Sequence, residues 1–179
     1  MKRSPIFALC SILCLLALLT ACSSKESFSG GTFYNPSLMD SQGNPREIYT
    51  FRADGTGTYT LMSSEYPFSW KEIDGMILTS HSASSSSVFQ YQNGYLIEPF
   101  YIWDGIIPSE NTFDAAVSLS AEKSLTLKFS SSGTAVYQSG ENEQSGSYVR
   151  NGDEILFGSS HFLVVDKKLC SNFLAPYEN

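Results

Sequence analysis

Slid against itself by 78 residues, the 179-residue chain meets an echo. FRADGTGTYT at 51–60 falls over FSSSGTAVYQ at 129–138, and eight identities lie without a gap between 47–79 and 125–157. They include Phe51 with Phe129, Gly55 with Gly133, Tyr59 with Tyr137 and Ile77 with Ile155, while Trp70 meets Tyr148. Apolar residues recur at every second position in both copies: Tyr49 and Phe51 over Leu127 and Phe129, then Gly57 and Tyr59 over Ala135 and Tyr137. Side chains two apart share one face of a strand, so each copy preserves one apolar sheet face. The echo reads as an internal repeat of β-hairpins, and the fold class as all-β.

Turn signals support this. Asp54-Gly55, Asp74-Gly75, Asn93-Gly94, Asp104-Gly105, Ser132-Gly133 and Asn151-Gly152 separate short runs rich in Tyr, Phe, Ile, Val and Thr. Such spacing points to an antiparallel barrel or sandwich of about 8–11 strands, built from two similar halves. Strands are expected near 31–35, 46–53, 57–63, 67–72, 76–81, 87–91 and 95–101, then near 113–119, 124–130, 134–138, 145–150, 154–158 and 161–166. A short hairpin unit cannot bury its sheet face alone, so the halves are expected to share one core in a single domain over 31–179.

The chain opens MKRSPIFALCSILCLLALLTACSSKES, with Lys2 and Arg3 ahead of an apolar run from Ile6 to Leu19. A run of that length behind a positive start reads as an export signal and not as a spanning helix. Leu19, Thr20, Ala21 and Cys22 close it and resemble a bacterial lipoprotein signal. The resemblance implies removal of residues 1–21, lipidation of Cys22, and a folded part outside the cytoplasm at the cell membrane or the outer membrane. Residues 22–30 then form the lipidated cysteine and a polar tether. Each buried acyl CH2 contributes about 0.8 kcal/mol, and more than one chain makes the hold durable.

Processing leaves 9 basic side chains against 18 acidic ones. Nucleic acid needs a basic footprint, so that partner class is excluded. Anionic headgroups are repelled as well, which leaves the lipid as the membrane contact. Of four cysteines only Cys170 would remain a free thiol, so no disulfide framework is possible, and it reads as a small, partly buried hydrophobe on the last strand.

Gly31, Phe33, Phe51, Asp54, Gly55, Gly57, Tyr59, Phe68, Trp70, Asp74 and Gly75 follow a pattern of strand and turn residues. It resembles the small lipocalin-like domains of bacterial surface lipoproteins. The resemblance implies a binding barrel and carries over no catalytic residue.

Sites of chemistry are sparse. DGTGT lies between strand-like runs with no Lys-Ser/Thr and no helix after it, so its glycines belong to a turn and not to a phosphate loop. Asp54, Glu72, Asp74 and Asp104 lack calcium-loop spacing, and His81 and His161 form no zinc motif, so neither metal nor cofactor is expected. The stretch VFQYQNGYLIEPFYIWDGIIP at 88–108 has no strong counterpart in the second half. Phe89, Tyr91, Tyr95, Glu98, Tyr101, Trp103 and Asp104 are its candidate ligand contacts, suited to a carbohydrate, peptide or protein. In an extended chain Tyr101 and Trp103 would share a face. The leading expectation is thus a lipid-anchored binding or interaction module. A structural envelope protein without a small ligand is the alternative. A sugar-active or other hydrolase is the third reading, and it requires His81, His161, Glu98 or Asp104 to converge.

Overall fold

The structure is a computed structural model that describes residues 27–82, 85–108 and 115–178. Sixteen strands are seen: β1 Gly31–Tyr34, β2 Glu47–Phe51, β3 Thr56–Leu61, β4 Ser64–Ile73, β5 Met76–Ser82, β6 Ser85–Gln92, β7 Tyr95–Ile97 and β8 Ile102–Gly105; then β9 Ala115–Leu119, β10 Leu125–Phe129, β11 Thr134–Ser139, β12 Asn142–Asn151, β13 Glu154–Phe157, β14 Ser160–Val165, β15 Lys168–Cys170 and β16 Phe173–Pro176. They close two antiparallel eight-stranded barrels, β1–β7 with β16, and β8–β15. The all-β class holds, but the expectation of 8–11 strands around one shared core does not. Each barrel closes around its own core.

The hairpins of the echo are built alike. Arg52 N–H donates to Thr56 O at 2.8 Å and Gly55 N–H to Arg52 O at 3.1 Å; Ser130 N–H donates to Thr134 O at 2.9 Å and Gly133 N–H to Ser130 O at 3.1 Å. Gly55 and Gly133 have φ of +82° and +78°, a conformation that costs a glycine little and other residues more. Asp54 locks the first turn by accepting from the Thr56 N–H at 2.9 Å. Beyond the turns, residues 78 apart hold the same rungs: Tyr49 faces Tyr59 as Leu127 faces Tyr137, and Trp70 faces Thr79 as Tyr148 faces Phe157.

Three buried layers result. Phe33, Tyr49, Phe51, Phe68, Ile77, Phe89, Leu96 and Leu174 fill the first barrel. Trp103, Leu127, Phe129, Ile155, Phe157, Phe162 and Leu169 fill the second. Ile97, Leu163, Val165, Cys170, Phe173 and Ala175 form a third, made by outward side chains where the barrels abut. Fully burying side chains of this kind contributes about 1.5–3 kcal/mol each. Cys170 is therefore a packing residue on β15, and burial pushes its thiol up to about 11.

The chain crosses between barrels twice, and the crossings mirror one another. β7 leads through a 3-10 turn at Pro99–Tyr101 into β8, which lies between β15 and β9; β15 leads through Ser171 and Asn172 into β16, which lies between β7 and β1. Leu96 faces Leu174 as Leu169 faces Trp103, and Phe33 faces Pro176 as Val117 faces Gly105. Where they pass, Glu98 N–H donates to Asn172 O at 3.1 Å and Ser171 N–H to Tyr101 O at 3.0 Å.

Candidate functional site

Strand alternation decides which side chains enter each barrel. The lower end of the first barrel is the end where β2 begins and β7 stops. There the inward positions carry Asn35, Glu47, Tyr59, His81 and Glu98, with Tyr49 and Thr79 one step deeper. At the rungs where the first barrel has Asn35, Glu47, Thr79 and Glu98, the second has Leu119, Leu125, Phe157 and Ser171. One end of one barrel is thus polar where its counterpart is mostly apolar.

These groups hold one another. Asn35 Nδ2 donates to Glu47 Oε2 at 2.7 Å, and the Tyr59 hydroxyl donates to Glu47 Oε1 at 3.0 Å, so both carboxylate oxygens are engaged. Asn172 Nδ2 donates to Glu98 Oε2 at 2.9 Å. Thr79 Oγ1 lies 3.2 Å from His81 Nε2 and takes the Ser87 N–H at 3.2 Å. Rings complete the wall, with Tyr49 and Tyr59 centroids 4.7 Å apart, Tyr59 and His81 5.6 Å apart, and Tyr59 and Tyr66 6.0 Å apart.

Electrostatics follow from burial without a counter-cation. Burial raises the Glu98 carboxyl above the usual range, and the charge of Glu47 adds to the shift while the Asn172 bond opposes it. Burial, then Glu47, pushes the Tyr59 phenol up to about 12, and Tyr49 shifts the same way. Burial lowers the His81 imidazole, which favours its neutral form. Among the described residues no lysine or arginine pairs with Glu47 or Glu98; Lys168 with Asp104 at 3.6 Å is an ion pair of the second barrel. No group of three or more metal-ligating side chains occurs among the described residues.

The stretch at 88–108 is divided between the barrels. Phe89, 2% exposed, lies in the first core. Tyr91 packs there against Phe28 at 5.1 Å, and Tyr95 packs on Phe173 at 5.9 Å. Glu98 belongs to the polar end. Trp103, 4% exposed, enters the second core and donates from Nε1 to Ser171 Oγ at 2.8 Å. Asp104 sits on the outer surface beside Ser120 and Lys168. Phe100, Tyr101 and Ile106 are the stretch's well-exposed apolar side chains, at 67%, 43% and 61%. The 3-10 turn ends the extended run, so Tyr101 and Trp103 do not share a face. The seven contacts proposed from sequence therefore do not meet on one surface.

Of the residues a hydrolase reading draws on, the polar end brings together His81 and Glu98 but not Asp104 or His161. His81 and Glu98 flank Tyr49 in the first barrel, whereas Asp104 and His161 lie outside the second, where the His161 N–H donates to Ser37 Oγ at 3.2 Å. Cys22 lies outside the described residues. Among the described residues a depression of ≈ 350 Å³ over β4–β6 is lined by Ser69, Lys71, Thr79, Ser80 and Ser86, and another of ≈ 190 Å³ lies between the barrels, beside Gln92 and Cys170. Thr79 lines the first from the polar end, but Asn35, Glu47, Tyr59, His81 and Glu98 line neither. The sequence reading overlooked Asn35, Glu47, Tyr49 and Tyr59 as a site. The signal was present in the echo, where Glu47 and Tyr49 stand over Leu125 and Leu127.

No family model, no curated protein and no solved structure matches this chain.

Proposed function

We propose that the protein is a lipid-anchored binding module outside the cytoplasm, and that its contact surface is the lower end of the first barrel. The observation that carries this reading is the contrast between equivalent rungs. Burying carboxylate and imidazole groups costs free energy, and the second barrel has Leu119, Leu125 and Phe157 where the first has Asn35, Glu47 and Thr79. The polar set is therefore not required by the architecture. A binding barrel is also what the lipocalin-like resemblance implies.

The chemistry fits a positive group flanked by apolar surface, such as a lysine or arginine of a peptide or protein. Two carboxylates without a described cation would meet its charge, and the tyrosine faces would add a cation–π contribution of about 0.5–2 kcal/mol. Leu38, Met39, Leu61, Met62 and Tyr66, all exposed, lie in the loop and hairpin at this end. They supply an apolar rim. Phe28 wedges among Phe33, Phe51, Trp70 and Tyr91 at the opposite end. Phe28 lies six residue steps after Cys22, a reach of about 20 Å when extended. A lipid on Cys22 would hold the Phe28 end at the membrane and turn the polar end away from it.

The test is a titration of residues 23–179 with basic, acidic and neutral peptides and with oligosaccharides, followed through the His81 ring resonances. Basic peptides are expected to shift those signals in a salt-sensitive way. Glu47→Gln is expected to weaken them at least tenfold, with Glu143→Gln at an exposed position of the second barrel as a neutral control. Binding indifferent to peptide charge, or untouched by Glu47→Gln, would remove this reading.

A further inference from the structure

The crossings divide the chain into halves that cannot close alone. Cut between β8 and β9, the first half supplies seven strands of one barrel and one of the other, and the second half supplies the complement. Each half therefore inserts its last strand into a barrel made of the other. Only the nine residues 106–114 join them between β8 and β9.

The inserted strands are not interchangeable. At equivalent rungs β16 carries Leu174, Ala175 and Pro176 where β8 carries Trp103, Asp104 and Gly105. If the first half folded β8 back on itself, the bulkier Trp103 would stand in the place of Leu174. Asp104 would take the position of Ala175, which is buried between the barrels. An unpaired carboxylate in an apolar layer is strongly unfavourable. The second half is not free to close on its own either, because Leu174 would leave unfilled the volume that Trp103 occupies. Each half thus fits the other and rejects itself.

We propose that this complementarity also operates between copies, so that the first half of one chain pairs with the second half of another in a half-exchanged dimer. Every strand pairing and all three buried layers are kept, and only the path of the connection between β8 and β9 differs. The second copy then completes the polar end, because the Asn172 that donates to Glu98 and the Leu174 in the first core both come from it. Within one chain the halves meet at an effective concentration in the millimolar range, set by a short linker. The single-chain form prevails when dilute, and exchange competes when folding occurs in concentrated protein.

Thr32 and Tyr177 provide the readout, since they belong to different halves and the Tyr177 N–H donates to Thr32 O at 2.8 Å. Residues 23–179 carrying Thr32→Cys, Tyr177→Cys and Cys170→Ala are refolded reduced at about 5 μM, far below the effective concentration, and at about 1 mM, comparable with it, then oxidised. Non-reducing gels and light scattering are expected to show monomer at the low concentration and, at the high one, a dimer covalently linked through residues 32 and 177. Monomer at both concentrations would overturn the proposal, as would a dimer whose 32–177 bonds all lie within single chains. A second measurement does not depend on the cysteines. The unsubstituted chain carrying a protease site between residues 108 and 115 is folded first and then cleaved. The pieces are expected to stay together, to part in denaturant and to reunite on dilution; pieces that part in native buffer, or fail to reunite, would count against it.

Discussion

Gly57 and Phe68 face each other across β3 and β4, and the second barrel places Ala135 and Gly146 on the same rung. Small meets large in one barrel and small meets small in the other. A Cβ at residue 57 would stand 2.2 Å, 2.4 Å and 2.7 Å from three atoms of the Phe68 ring. That ring is 5% exposed and held by Phe51 at 5.1 Å and His81 at 5.2 Å, so it has nowhere to retreat. A Cβ at residue 146 would meet the Phe157 ring at 3.3 Å, which asks for a shift of tenths of an ångström. Overpacking costs about 1–3 kcal/mol, against which an alanine gains about 0.5–1 kcal/mol over glycine in a strand. Gly57→Ala is expected to destabilise by about 2 kcal/mol, and Gly146→Ala by less than about 0.5 kcal/mol. In a Phe68→Ala background, itself weakened by about 3–5 kcal/mol, Gly57→Ala should become neutral or stabilising. The pair would show a coupling of about 2–3 kcal/mol. Urea unfolding at constant slope reads all four corners of the cycle. Equal costs for Gly57→Ala in both backgrounds, or a Gly146→Ala as damaging as Gly57→Ala, would show that the rung does not set the packing.

Three further outcomes are expected. Glu98→Gln keeps an oxygen for Asn172 and removes a carboxylate whose pKa is raised by burial. The ionised form burdens the fold above that raised pKa and is absent below the unfolded value near 4.3, so melting temperature should rise at pH 7 and be little changed at pH 4. Cys170 is 2% exposed with its thiol pushed up to about 11, so a thiol reagent at pH 8 should label it only on unfolding; rapid labelling of the folded protein would mean the barrels part readily. Phe28→Ala deletes a ring with four aromatic neighbours within 5.8 Å and should cost about 3 kcal/mol. Hydrogen exchange should then quicken in β2 and β4 with little change in β10 and β12.

What the sequence disclosed were features of short range. Alternation and turn glycines placed β2–β5 and β10–β13, and five of the six turn dipeptides fall at hairpins. The sixth misled: Asp104-Gly105 ends β8, and Gly105 is small because the Ala116 carbonyl oxygen would lie 2.2 Å from any Cβ there. β15 and β16 were missed because three or four residues show no alternation when both faces are buried. Leu174 enters a barrel while Phe173 and Ala175 enter the layer between barrels, so the segment reads as a featureless apolar run. For the same reason the expected shared core became three layers. The polar end escaped notice because its residues come from five separate strands and loops. A lone Glu47 or His81 in such a sequence looks like any solvated side chain.

The position of β16 sets a timetable for the chain as it is made. The second barrel is complete once Cys170 has emerged. The first, begun earlier, lacks a stave for the 75 residues between Ile97 and Phe173. As the chain emerges N-terminus first, its exposed strand edges wait for closure until β16 arrives. Any product that stops short of residue 173, by premature termination or by trimming of its tail, keeps those edges open and remains recognisable to proteases and chaperones as unfinished. Completeness of the polypeptide is thereby read out at the end of the molecule that was made first.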